Sequence, residues 1–272
     1  MPLGLMILVA AIQGLTEFLP VSSSGHLVLI PIITDFTYQG RMIDVAAHVG
    51  SLIAIIFYLR SEIIAIACAL LHFGRTDRVN ACLGILLVIS TIPIIIVGFV
   101  VNYSNLSWIH MVQTLAIANI GFAILLWLSD RAPIKKQGLD MITWSPALLI
   151  GIAQICALIP GASRSGVTMS AARLLGFDRI TAARFSLLLS IPTIAGAGLL
   201  KSHDLLESGN SAFGSDIILV VLLSAGFAWL AITWMMRWLA TASFGIFVYY
   251  RILLGTFLLF GLAQGWLDPQ FS

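Results

Sequence analysis

The chain has 272 residues, of which 60% are hydrophobic and 10% charged, and its mean hydropathy is +1.04. Soluble domains run at roughly 45–50% apolar and about 25% charged, so 14 Lys and Arg with 12 Asp and Glu cannot cover a water-facing surface, and lipid must be the solvent for much of this one. The net charge of +2 is too small to imply nucleic acid as a partner and leaves only the distribution of charge to be informative.

A helix needs about 20 apolar residues to cross the ~30 Å hydrocarbon layer. The chain opens on a shorter apolar stretch, 3–19, interrupted by Gln13 and Glu17. It lacks a basic leader, so no cleavable signal peptide is expected. A turn at Pro20 leads into a second short stretch, 25–33, and then come the long stretch 42–59 and a short segment, 63–73, expected at the membrane interface. Long stretches follow at 79–101 and 112–128. Beyond a polar linker, the short stretches 146–159 and 168–177 flank a turn at Pro160, and the long stretches 182–200, 216–236 and 243–263 complete the chain. Short apolar runs of this kind read as re-entrant or buried segments. Cys68, Cys82 and Cys156 sit inside apolar runs without C-x-x-C spacing and read as small core residues.

The short stretches form two pairs, each joined by a Pro- and Ser-rich turn: Pro20-Val21-Ser22-Ser23-Ser24-Gly25-His26 and Pro160-Gly161-Ala162-Ser163-Arg164-Ser165-Gly166. A shift of 140 residues places Pro20 on Pro160 and Ser23 on Ser163, and three long stretches follow each pair. The expected fold is an all-α polytopic membrane protein with a single membrane domain over 1–272. It is an inverted repeat of halves about 1–131 and 141–272, each a short re-entrant helix hairpin plus three transmembrane helices. Three crossings is an odd number, so the second half enters the membrane upside down, which puts a binding site near the midplane between broken helices.

The charges test this topology. Loops 60–78 and 129–145, the segment 173–184 and the turn at 237 hold Arg60, Arg75, Arg78, Arg131, Lys135, Lys136, Arg173, Arg179, Arg184 and Arg237. The opposite side holds Arg41 and Lys201 beside Asp204, Glu207 and Asp216. Ten cations against two is a positive-inside asymmetry that predicts both termini outside. Arg164 and Arg251 are left for the membrane interior, where Arg251 is expected to snorkel or meet a carboxylate.

Non-helical backbone survives at membrane depth only where it is buried in protein or lines a wet cavity, and an ionisable group there is a functional candidate. Gln13 and Glu17 share one helical face at i, i+4, and Ser22, Ser23, Ser24 and His26 follow the break at Pro20. A carboxylate, a hydroxyl and an imidazole so close in sequence can supply base, nucleophile and acid. Helix capping explains the serines but not Glu17 and His26 beside them. In the second turn, glycines running into a short helix offer backbone N–H groups to an anion. Ser163, Ser165 and Thr168 add hydroxyls, and Arg164 adds a planar fork for phosphate oxygens. Arg164 needs an anionic partner at that depth; Glu17 and a bound phosphate both qualify, and the two can alternate. Asp44 and His48, also at i, i+4, either line the cavity or serve in capping and interhelical pairing.

The stretch from Gln13 through Gly14-Leu15-Thr16-Glu17-Phe18-Leu19-Pro20 to His26 resembles the first signature of the bacterial undecaprenyl-diphosphate phosphatases of the bacitracin-resistance type. Pro160 to Thr168 resembles their second signature, and His48-Val49-Gly50-Ser51-Leu52 and Phe185-Ser186-Leu187-Leu188 through Pro192 are similar to further family segments. The resemblance covers essentially the whole chain. It implies hydrolysis of undecaprenyl diphosphate to the monophosphate, which recycles the carrier lipid for peptidoglycan synthesis and confers bacitracin resistance. It also implies the inner membrane, a site opening to the periplasm, and stimulation by a divalent cation. The family's first signature begins with Glu or Gln, and Gln13 here leaves Glu17 as the carboxylate that would hold Mg²⁺ or Ca²⁺ together with substrate phosphates and waters. The partner is undecaprenyl diphosphate in the bilayer, with a homodimer as a compatible assembly. The expected catalytic residues are Glu17, Ser23, His26 and Arg164, and the expected substrate-binding residues are Gln13, Ser22, Ser24, Ser163, Ser165 and Thr168. Ser23 is the first choice for nucleophile, activated by Glu17. His26 protonates the leaving phosphate or orients the serine, and Arg164 binds the diphosphate. Direct attack by water under Glu17 would use the same residues.

Two other classes compete. Type-2 phosphatidic acid phosphatases also use Ser-Gly-His and Ser-Arg, but they require a histidine shortly after the Ser-Arg pair, and Ser165 to Gly176 contains none. A secondary transporter or flippase of a polyprenyl-phosphate lipid shares the inverted-repeat architecture. Headgroup movement without phosphate release would distinguish it.

Overall fold

The computed structural model describes residues 2–33, 41–75, 77–102, 104, 111–207 and 214–269, with the backbone alone at 24, 28, 31–33, 41, 102 and 201–207. The described chain is all-helical apart from loops and one isolated bridge, between Lys136 and Phe177. The long apolar stretches are helices α3 (Arg41–Tyr58), α5 (Arg78–Asn102), α6 (Val112–Asp130), α9 (Arg179–Glu207), α10 (Ser215–Thr241) and α11 (Gly245–Ala263). Five of them are long and apolar enough to cross a membrane. The exception is α3, whose 18 residues span about 27 Å. It is followed, after a break at Leu59, by α4 (Arg60–Leu71), which turns away from it by 78°.

The short stretches are α1 (Leu3–Thr16), α2 (Ser23–Ile33), α7 (Trp144–Gln154), which a 3-10 turn over Ile155–Leu158 extends, and α8 (Arg164–Leu174). With 11 to 14 residues each, they reach about 17–21 Å and cannot cross alone. One helix of each pair docks on a helix distant in the chain. α1 packs on α10, and α7 packs on α5. Both contacts are backbone-close: a Cβ on Gly14 would lie 2.6 Å from the Ser224 carbonyl, and one on Gly151 would lie 2.4 Å from the Ser90 carbonyl. Serine hydroxyls lock the neighbouring helices, Ser224 Oγ donating to the Ala47 carbonyl at 2.7 Å and Ser90 Oγ to the Ala147 carbonyl at 2.8 Å. Lipid gives no hydrophobic force between helices, so close approach and hydroxyl bonds hold them together. Phe57, Ile96, Leu222 and Leu253 cover the outside, while Ser51, Ser90, Asn119 and Ser224 are buried.

The cationic segments meet at one end. Asp130, at the end of α6, accepts from Arg179 Nε at 2.6 Å and from the Phe244 N–H at 3.1 Å, and Glu62 on α4 pairs with Arg184 on α9. Arg173 departs from its expected place among the loop cations. It is 1% exposed and donates to the carbonyls of Asp130, Ala132 and Phe177, because the end of α8 is folded inside this corner. Trp108 and His110, and the side chains of Arg41, Lys201, His203, Asp204 and Glu207, lie outside the described residues.

Candidate active site

Each hairpin breaks through a serine held at positive φ, +73° at Ser22 and +67° at Ser163, a region non-glycine residues seldom enter. Each serine then caps the helix it opens. Ser22 Oγ accepts from the Gly25 N–H at 3.4 Å, and Ser163 Oγ accepts from the Gly166 N–H at 3.2 Å. This geometry matches Ser22 to Ser163 and Gly25 to Gly166, a shift of 141, so the spatial counterpart of Ser23 is Arg164. The 140-residue shift based on the prolines is thereby corrected. The second turn carries one more residue after its proline, and Gly161, at φ +90°, absorbs it in a conformation glycine adopts without penalty.

The two turns are stapled to each other. Arg164 Nη2 donates to Glu17 Oε1 at 2.9 Å, and Ser165 Oγ donates to the Leu19 carbonyl at 2.8 Å. Arg251 on α11, 0% exposed, bonds to both turns at once. It donates to the Gly161 and Ala162 carbonyls at 2.8 and 3.0 Å, to the Pro20 carbonyl at 3.4 Å and to Asn119 Oδ1 at 2.8 Å. It neither snorkels nor pairs with a carboxylate, because the helix breaks leave carbonyls without helical partners and one guanidinium has five donors to satisfy them.

Glu17 is the hub. Its Oε2 accepts from Ser23 Oγ at 2.8 Å and from Gln13 Nε2 at 2.9 Å, and His48 Nε2 stands 4.0 Å away. The carboxylate is only 8% exposed and the Arg164 side chain 11%, so the pair is strengthened by a poorly solvated setting. His48 Nδ1 donates to the Asp44 carbonyl at 2.7 Å, which turns Nε2 toward Glu17.

The remaining expected residues divide. His26 lies beside the turn, but its Nδ1 donates to the Ser22 carbonyl at 2.6 Å. That fixes the tautomer and leaves Nε2 to accept from the Tyr250 hydroxyl. His26 therefore holds the strained serine and bonds to neither Ser23 nor Glu17. Ser165 and Thr168 are both 1% exposed. The Thr168 hydroxyl donates to the Arg164 carbonyl at 2.9 Å and lies 2.7 Å from Ser186 Oγ. These hydroxyls bind protein beneath the turn, and Ser163, 7% exposed, acts as its cap. The Ser24 side chain lies outside the described residues.

A buried acid–hydroxyl–guanidinium constellation between two broken helices is an arrangement for handling an anion inside a membrane. The family described as bacitracin resistance protein BacA matches residues 6–257. The chain belongs to the BacA family. It is 43% identical over 259 residues to the undecaprenyl-diphosphatase of Roseobacter denitrificans, covering 93% of this chain and 96% of that one. It is also 43% identical to the undecaprenyl-diphosphatases of Dinoroseobacter shibae, over 93% of this chain and 96% of that one, and of Maricaulis maris, over 95% and 98%.

For this BacA-family chain, the fit of a divalent cation can be tested on the donors present. Among the described residues no group of three or more His, Cys, Asp and Glu side chains is placed to hold a metal. Gln13 Oε1, however, is a buried oxygen without a hydrogen-bond partner among the described residues, one helical turn from Glu17. Two oxygen donors fit a hard cation that brings further ligands with it, as Mg²⁺ does with substrate phosphates. They do not form a cage for a resident ion.

Sequence reasoning missed Tyr250, Asn119 and the role of Arg251. All three lie on spanning helices whose apolar pattern reads as lipid-facing or core. The polar positions inside α6 and α11 were the available signal.

Proposed function

We propose that this chain is an undecaprenyl-diphosphatase of the bacterial inner membrane, hydrolysing undecaprenyl diphosphate to undecaprenyl phosphate and inorganic phosphate. The names of its relatives support this. The observation that carries it is Glu17, which meets a hydroxyl from its own turn and a guanidinium from the opposite turn on its two oxygens.

In this reading Ser23 Oγ attacks the terminal phosphorus while its proton passes to Glu17 Oε2. The bond from that phosphorus to the bridging oxygen breaks, and undecaprenyl phosphate leaves. Water then hydrolyses the Ser23 phosphoester and releases phosphate. Arg164 turns from Glu17 to the phosphate oxygens and offsets charge developing on them. In the direct route, a water held by Glu17 attacks the same phosphorus. A divalent cation held by Glu17 and Gln13 would neutralise charge on the diphosphate.

The fold reading that goes with this is the inverted repeat. Its support is the paired positive-φ caps, the cross-docking of α1 on α10 and α7 on α5, and three long helices after each hairpin. With the cationic end inside, both termini lie in the periplasm, where the family resemblance also places the opening of the site. A homodimer is a compatible assembly.

The test is inorganic phosphate release from undecaprenyl diphosphate by purified protein in detergent. Glu17→Gln and Arg164→Ala are expected to lower it by about 10²–10³-fold, the scale of losing one charge-stabilising or proton-accepting group, with unchanged size-exclusion behaviour. Near-wild-type release by either variant would overturn the assignment. Headgroup movement across liposomes without phosphate release would replace it with a transporter.

A further inference from the structure

A groove runs along the lipid side of α6, beside the second hairpin. Thr114, Ala118, Gly121, Phe122 and Leu125 lie along one stripe of the helix, and Ile159 closes the side. Its volume is about 480 Å³, within the ~300–1,000 Å³ of small-molecule sites, and Thr114 supplies its one polar side chain.

The position of the groove is informative. Ile159 is the residue before Pro160, and its carbonyl accepts from the Ala162 N–H at 3.0 Å, so the groove wall runs straight into the turn that presents Arg164. An adjacent face of α6 supports that same turn, since a Cβ on Gly161 would lie 2.2 Å from the Leu115 carbonyl and 3.2 Å from the Asn119 amide. One helix thus carries the turn on one face and the apolar trough on the next. Gly121 opens onto the trough, since a Cβ there would meet nothing within 4 Å among the described residues.

We infer that this groove holds the isoprenoid chain of the substrate next to its diphosphate end; the inference rests on the phosphatase reading of the two hairpins. A polyprenyl diphosphate has one charged end and one long apolar end. With the terminal phosphorus held between Ser23 and Arg164, the first isoprene units must leave the polar turns along an apolar surface, and the groove is continuous with the second turn. A bulk acyl chain could lie on the same surface, but its presence would not make turnover depend on prenyl length.

The experiment compares kcat/KM for undecaprenyl diphosphate and for dimethylallyl diphosphate, too short to lie along the groove, in the wild type, in Gly121→Leu and in Gly226→Leu. Gly226 lies on the exposed side of α10, where an added Cβ also meets nothing within 4 Å. Gly121→Leu is expected to lower the long-to-short ratio by about tenfold, mostly through KM, which corresponds to about two lost methylene contacts. Gly226→Leu is expected to keep the wild-type ratio. An unchanged ratio in Gly121→Leu, or an equal fall in both variants, overturns the groove and leaves the phosphatase standing. A wild type that releases no phosphate from either substrate overturns the phosphatase reading itself. A second measurement needs no variant. A diazirine-bearing polyprenyl diphosphate is expected to label the unmodified protein within 114–125, and labelling confined to other helices overturns the groove.

Discussion

Glu17, Ser23 and Arg164 were legible in the sequence because polar groups at membrane depth are expensive and need a reason to be there. Their chemistry follows from which atoms meet. Ser23 Oγ reaches Glu17 at 2.8 Å, whereas both ring nitrogens of His26 are held by Ser22 and Tyr250. Ser23→Ala is therefore expected to lower phosphate release at least ~10²-fold, and substrate labelled at the terminal phosphate should leave no phosphoserine on that variant. Recovery of full activity in Ser23→Ala would point to water as the nucleophile. Arg164→Lys is expected to remain impaired, because an ammonium is a point charge and cannot supply the planar fork. Tyr250→Phe removes the bond to His26 Nε2 and leaves the Nδ1 bond to Ser22 intact. A loss of less than about tenfold is expected, the cost of one hydrogen bond, read as a fall in kcat.

At the scale of elements, helix contacts decide stability. Gly151 lies against the Ser90 backbone and Gly14 against the Ser224 backbone, so neither site has room for a side chain. Gly151→Leu is expected to cost about 1–3 kcal/mol from overpacking, seen as a lower thermal midpoint in detergent. The Glu62–Arg184 pair between α4 and α9 has side chains 26% and 40% exposed, and its removal should change stability by less than about 1 kcal/mol. Asp77 opens α5 by accepting from the Asn80 N–H at 3.0 Å, and the bonds from the Asn80 backbone and side chain hold its carboxyl below the usual range. A lowered pKa means that the stability it gives is complete above the ordinary carboxylate range and is lost as pH falls through the lowered value. The thermal midpoints of wild type and Asp77→Ala should differ at neutral pH and converge in acid.

Across the whole molecule, Arg251 ties the Pro20 and Pro160 turns together by bonding to both from α11. Arg251→Met leaves those buried carbonyls unsatisfied. It is expected to lower both the thermal midpoint and activity, at the roughly 1–3 kcal/mol that each buried polar group left unsatisfied costs. A cysteine at residue 26, in a background lacking Cys68, Cys82 and Cys156, should react with an impermeant thiol reagent from the periplasm. A cysteine at Lys135 should react only after permeabilisation; the reverse pattern would invert the topology. The sequence alone determined that lipid is the solvent, where the helices run and where they break. Backbone groups in hydrocarbon must bond within their own helix, and that constraint is local. It also supplied two polar turns, but it set them one residue out of register, because matching prolines cannot reveal which serine carries the positive-φ cap. Tertiary structure decided that Arg164 takes Glu17, one of the two partners its depth called for, across 147 residues, and it alone decided that Arg251 reaches Pro20 across 231. It also decided that Thr168 and Ser165 turn inward. Those outcomes follow from how helices far apart in the chain pack around two breaks, and no local propensity contains that information.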